Sequence, residues 1–177
     1  LRTVPTRPDL RAQSFVREQS PEYRAMATCG PGDVLVVDAM RLPYATVIGD
    51  IKLLQLKHQG AEGFVTDGAI RDLDVVEQYG FAIFAQRRTP TVREYGEPVD
   101  VNVDIQCAGI LVRPGDVLVG DDDGVIVVPA AMAEEIVDWA EIHEEAEEIV
   151  KARIEAERCV PGLHYPPTEE LKEQIRK

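Results

Sequence analysis

Residues 63–74, Gly-Phe-Val-Thr-Asp-Gly-Ala-Ile-Arg-Asp-Leu-Asp, constrain this chain more than any other stretch. An apolar β-forming run over 63–65 meets Thr66-Asp67-Gly68, which reads as a turn, and a helical pattern over 70–78 then carries Arg71, Asp72 and Asp74. The neighbours repeat the plan. Upstream, Asp33-Val-Leu-Val-Val-Asp38 is a continuous β-branched run, as in a strand covered on both faces, and a second strand is expected over 44–48 after Pro43. Gly49-Asp50 then opens a helical pattern that stops at Gly60, with Asp50 a good N-cap. Downstream, 82–85 resumes as strand. The succession β-α-β-α-β implies that part of the sheet is parallel.

The style changes after a polar loop over 87–98. Residues 99–105 alternate Val, Asp, Val, Asn, Val, Asp, Ile, the period-2 mark of a strand with one polar face. Two short strands turned at Pro114-Gly115, and a further turn at Asp121-Asp-Asp-Gly124 into 125–128, read as an antiparallel meander. Pro129, as N1, starts one long helix to about Arg158, with Ile136, Trp139, Ala146, Ile149 and Val150 in its apolar stripe. Ahead of all this, Pro5 and Pro8 mark an extended arm over 1–11, 12–17 reads as a short strand, and 21–28 as a helix closed by Gly30-Pro31-Gly32. The whole is expected to be a single domain: arm 1–11, core 12–158, and a tail 159–177 holding a short charged helix.

With 177 residues, 45% of them hydrophobic, the chain can bury one substantial core. Its net charge of −13 argues against direct binding to nucleic acid or an anionic membrane face, which needs a basic patch. Cys29, Cys107 and Cys159 are far apart and signal neither a disulfide framework nor a zinc site, which fits a reducing, cytoplasmic setting. No apolar run approaches the roughly eighteen residues that span a bilayer. The opening residues are not a secretory signal, and a start on Leu1 rather than Met reads as a portion of something longer.

In an open parallel sheet, ligands collect beyond the carboxyl ends of the strands, which is where Gly49-Asp50 and Gly68-Ala-Ile-Arg-Asp72 fall. Free N–H groups at the helix near Asp50 suit an anion, Arg71 suits a carboxylate, and Asp72 is a hard oxygen ligand for Mg²⁺ or Mn²⁺. Each has a plainer role. Asp50 can be a helix cap, and Arg71 and Asp72 a surface pair. Asp74 reads as solvated helix face, Asp121 to Asp123 as a turn, and His58, His143 and His164 stand alone.

Asp50, twenty intervening residues, then Arg71-Asp72, with Asp67-Gly68 ahead and Pro114-Gly-Asp-Val-Leu-Val-Gly-Asp-Asp-Asp-Gly-Val-Ile-Val-Val-Pro129 behind, resembles the RraA-like family over roughly 12–158. That family holds 4-hydroxy-4-methyl-2-oxoglutarate aldolases, oxaloacetate decarboxylases and regulators of ribonuclease E activity. The resemblance implies an α/β, swivelling β/β/α layered domain with a mixed sheet and a long C-terminal helix. It further implies homotrimeric rings that stack into hexamers, with the active site between neighbouring subunits. In it Asp72 would be the metal ligand, Arg71 would hold the pyruvyl group and stabilise its enolate, and Asp50 would orient water on the metal. The amides after Gly49, those of Asp50, Ile51 and Lys52, would bind the substrate carboxylate, and Glu147 or Glu148 would be the acid lent by the adjacent subunit. Lys52 departs from the family, which often has an apolar residue there; it either alters the pocket or reaches solvent.

The implied chemistry is that of a divalent-metal-dependent lyase cleaving the C–C bond next to a 2-oxo acid to release pyruvate, by aldol cleavage or oxaloacetate decarboxylation. No lysine is placed for a Schiff base. The alternative is a non-catalytic regulator that binds and inhibits a ribonuclease through its acidic surface.

Overall fold

The β-branched run after Gly30-Pro31-Gly32 does form a strand, and the elements around it begin and end where glycine, proline and capping side chains interrupt the chain. The computed structural model describes residues 1–14, 17–92 and 96–176. In order these hold β1 (Arg2–Pro5), α1 (Pro8–Ser14), α2 (Pro21–Thr28), β2 (Val34–Val37), β3 (Thr46–Ile48), α3 (Asp50–His58), β4 (Gly63–Ile70), α4 (Leu73–Val76) and β5 (Ala82–Arg88). Then come β6 (Gly96–Asp100), β7 (Ile105–Cys107), β8 (Ile110–Val112), β9 (Val117–Asp121), β10 (Gly124–Val128), α5 (Ala133–Glu157) and α6 (Glu169–Ile175). This is the mixed α/β architecture with a long C-terminal helix. It divides into two units, Leu1–Val127 and Val128–Lys177.

In the first unit β4 is the centre of a fully parallel four-stranded sheet. Its first half pairs with β2, from Val34↔Gly63 to Val37↔Thr66, and its second half with β3, at Thr46↔Ala69 and Ile48↔Ile70, while β5 takes the other edge. One strand can serve two partners on one edge because Gly68 sits where they meet. A Cβ there would lie 2.7 Å from the Ala39 Cβ and 2.8 Å from the Ala45 oxygen, so the residue has no room for a side chain. Phe64 of β4 and Leu53 and Leu56 of α3 are fully buried in one cluster with Leu35, Val37, Ile48 and Val76. Burial of this kind is what holds a short, weakly amphipathic helix such as α3 in place.

Several boundaries differ from the sequence reading. Thr66-Asp67-Gly68 is no turn: β4 runs on to Ile70 with its register shifted between Thr66 and Ala69, because the Asp67 carboxylate finds its partners across the fold instead of in its own backbone. The helix placed over 70–78 therefore begins only at Leu73, ends at Val76 and continues as a 3₁₀ turn, Glu77–Tyr79. Residues 99–105 do not form one strand. β6 ends at Asp100, and Asn102, with φ of 53°, turns the chain before β7. The arm over 1–11 is extended only as far as Pro5, in β1, which pairs antiparallel with β6; α1 begins at Pro8 with Asp9 in its first turn. The strand expected over 12–17 is helix as far as Ser14 and a 3₁₀ turn from Arg17; residues 15 and 16 lie outside the described residues. Pro129 caps a 3₁₀ turn, Ala130–Met132, and α5 starts after it.

The antiparallel part consists of separate pairs, β7 with β8 and β9 with β10. Burial, with the Asp67 charge second, pushes the Cys107 thiol up to about 12, so it stays neutral. In the second unit Ala146 and Val150 of α5 pack on Leu171 of α6, whose start is capped by Thr168. No helix among the described residues is long and apolar enough to cross a membrane.

Candidate active site

The carboxyl ends of β3 and β4 are tied together by one hydrogen bond, from the Arg71 N–H to the Ile48 oxygen at 3.1 Å. It sets Arg71 and Asp72 beside Gly49 and Asp50. Asp72 adopts the left-handed conformation, φ 62° and ψ 36°, and its carbonyl accepts from Val75 and Val76, so the backbone alone starts α4. An aspartate at a helix N-cap ordinarily spends its carboxylate on that helix. Here no side-chain cap bond forms, and Asp72 Oδ2 instead lies 3.4 Å from the Asp50 nitrogen at the start of α3.

Gly49, not Asp50, is the N-cap of α3; Asp50 is its first helical residue. Crowding requires glycine at this cap. A Cβ at position 49 would stand 2.7 Å from Asp72 Oδ2 and within 3.5 Å of Arg71 Nη2 and Nε. Gly49 has no side chain to cap α3; the Asp50 N–H meets Asp72 Oδ2 at 3.4 Å, and the N–H groups of Ile51 and Lys52 are left available to an anion. Gly49→Ala is accordingly expected to displace both side chains. It should weaken binding of a small carboxylate at this turn more than tenfold, on the order of the loss that misplacing a positioned group brings, with a melting temperature within about 2 °C of wild type. A titration with a small 2-oxo acid and a thermal melt check this.

The Arg71 Nε is buried and has no hydrogen-bond partner, the one such side-chain nitrogen or oxygen among the described residues. A buried donor left unpaired costs free energy, and at the mouth of a parallel sheet the natural partner is a ligand oxygen. The other acids nearby divide by what they already hold. Asp67, only 1% exposed, accepts from the amides of Ala39, Arg41 and Ala108 and from Gln106 Nε2, at 2.6 to 3.1 Å, and is a structural residue. No group of three or more His, Cys, Asp or Glu that could hold a metal occurs among the described residues. Mg²⁺, however, takes one or two carboxylates and keeps water in its other positions. The Asp72 carboxylate, unused by its own helix and next to Asp50, fits such a cation, and the unpaired Arg71 donor fits an anion beside it.

The Lys52 side chain neither joins these residues nor reaches freely into solvent. Its Nζ is 2.8 Å from Glu22 Oε2 and 5.3 Å from the centre of the Tyr23 ring. Glu147 and Glu148 belong to the second unit, where Glu148 pairs with Lys151 at 2.5 Å. Asp121 accepts from the amides of Asp123 and Gly124 as a turn residue, His143 stacks on Trp139, and His164 meets Glu157. Reasoning from sequence missed Asp67 and Glu22. For Asp67 a signal was present, an acid followed by glycine inside an apolar run; for Glu22 there was none.

Comparison with known proteins places these residues in context. A family model described as RraA-like, Aldolase/RraA, matches residues 2–127. A Halalkalibacterium halodurans protein named "Putative 4-hydroxy-4-methyl-2-oxoglutarate aldolase" is 39% identical over 117 residues, 66% of this chain and 56% of that protein. An uncharacterised Methanocaldococcus jannaschii protein is 34% identical over 115 residues, 63% of this chain and 54% of its own length. The chain thus spans about half the length of these curated relatives. Among solved structures, Streptomyces coelicolor RraAS2, described as an unusual member of the RNase ES inhibitor RraA protein family, superposes with a TM-score of 0.77 at 35% identity, covering 87% of this chain and 75% of that one.

Proposed function

Since the chain belongs to the RraA-like family, we propose that it is a divalent-metal-dependent lyase that cleaves the C–C bond next to a 2-oxo acid and releases pyruvate, from 4-hydroxy-4-methyl-2-oxoglutarate, oxaloacetate or both. The observation that carries the reading is the buried, unpaired Arg71 Nε beside the Asp72 carboxylate and the start of α3 at Gly49. The aldolase name of the Halalkalibacterium relative supports it.

In this reading Asp72 would hold Mg²⁺ or Mn²⁺, which would supply Lewis acidity to the 2-oxo group. The N–H groups of Asp50, Ile51 and Lys52 hold the carboxylate of the 2-oxo acid at the helix start. Arg71 donates from Nε and its terminal nitrogens to the pyruvyl oxygens, where negative charge grows as the C–C electrons pass into the enolate. In the same reading Asp50, in the first turn of α3, would orient a water that takes the proton of the substrate hydroxyl and returns one to the enolate carbon. A Glu147 or Glu148 from a neighbouring copy in a trimer or hexamer completes the site.

Pyruvate release from both substrates, measured with Mg²⁺ or Mn²⁺ and then with EDTA, tests this directly. Activity is expected with metal, to vanish with chelator, and to return on adding the cation back. Metal-loaded protein that turns over neither substrate ends the reading. Retention of a ribonuclease by such inert protein would favour regulation by docking, which the RNase ES inhibitor family of the Streptomyces neighbour and the net charge of −13 support.

A further inference from the structure

The Lys52–Glu22 pair supplies no side-chain atom to the candidate site, yet it sits on the turn whose amides form half of it. Lys52 is the third residue of α3, where a cation opposes the helix macrodipole. Glu22 comes from α2, and its side chain is 6% exposed against 29% for Lys52. Ala25 and Met26 of the same helix are buried in the core, and Ser20 and Pro21 secure its start, so the carboxylate is offered from a fixed platform. Tyr23 adds its ring beneath the ammonium. Charge that deep is costly unless it is paired, and here both partners are paired across two helices.

We propose that Glu22 and Lys52 are a positioning pair: the bridge from α2 holds the first turn of α3 so that the amides of Asp50, Ile51 and Lys52 stay aimed as one anion site beside Arg71. The proposal rests on the reading of that turn as the carboxylate-binding half of the site. It differs in sign from the simpler idea that Lys52 attracts the substrate by its charge. If charge were its role, Glu22→Gln, which leaves the ammonium unneutralised, would tighten anion binding. If the pair positions the turn, Glu22→Gln and Lys52→Met both weaken it.

The experiment compares wild type with Glu22→Gln, Lys52→Met and Lys52→Arg. It reads KM and kcat for pyruvate release, the Kd for pyruvate itself, and hydrogen exchange at the amides of residues 50–52. Glu22→Gln and Lys52→Met are expected to raise KM and Kd about tenfold with kcat within about twofold, the pattern of lost uniform binding, and to speed exchange in that turn. Lys52→Arg, which still reaches the carboxylate, should restore all three. Tighter pyruvate binding by Glu22→Gln, or exchange unchanged in both disrupting variants, overturns the proposal. If Glu22→Gln fails to fold, the contrast of Lys52→Met with Lys52→Arg decides on the same readouts. A wild type that releases no pyruvate would refute the lyase reading, while the exchange arm would still report on the pair.

Discussion

Arg71→Lys is expected to lower kcat/KM for pyruvate release by about 10²–10³, a loss of roughly 3–4 kcal/mol, the range seen when one preorganised donor to a developing oxyanion is removed. Lysine keeps the charge but lacks the planar N–H at the Nε position, and that N–H is the buried donor without a protein partner. The same substitution should leave the melting temperature within about 2 °C, because it deletes an unsatisfied group instead of a hydrogen bond. Arg71→Ala should be at least as inactive. A lysine variant with wild-type kcat/KM would show that only charge matters at this position and would remove the central observation behind the proposed chemistry.

Asp67→Asn should do the reverse, unfolding the protein more readily by roughly 3 kcal/mol, or about 10 °C in melting temperature. Asp67 Oδ1 accepts from the Ala39 amide, while Oδ2 accepts from the amides of Arg41 and Ala108 and from Gln106 Nε2. An asparagine has one acceptor oxygen. Turned one way it sets its NH₂ against the Ala39 N–H, and turned the other way against three donors. Neither orientation satisfies a site that is 1% exposed. Gln106 also donates to Asp38, so the damage should spread to the 38–41 turn, where Met40 and Arg41 both have positive φ. Asp72→Asn is the control: its carboxylate makes no bond to α4 and one long bond, 3.4 Å, to the Asp50 N–H, which the oxygen of an asparagine can also accept, so thermal stability should hold while metal-dependent turnover falls. Equal melting temperatures for Asp67→Asn and wild type, measured by calorimetry or circular dichroism, would refute the structural role.

The parallel β-α-β order was legible because it depends on local signals: β-branched runs, glycines on both sides of α3 and after the turn that follows α4, and the spacing between them. The pairing of Gly49-Asp50 with Arg71-Asp72 was legible for a related reason, since strand ends in a parallel sheet share one edge. The extent of β4 was not. Thr66-Asp67-Gly68 has the composition of a turn, and partners 26 to 41 residues away keep it extended.

By itself, then, the sequence determined the β-α-β-α-β order over 33–88, the net negative charge and the residue types suited to an anion and a hard cation, all of which follow from residue type and short-range spacing. Tertiary structure alone decided which acids were already spent. Asp67 is consumed by donors from distant turns, Asp72 is freed because its backbone starts α4 without its side chain, and Lys52 is drawn to Glu22. A carboxylate's availability depends on which donors the fold brings within about 3 Å of it, and no local pattern encodes that distance.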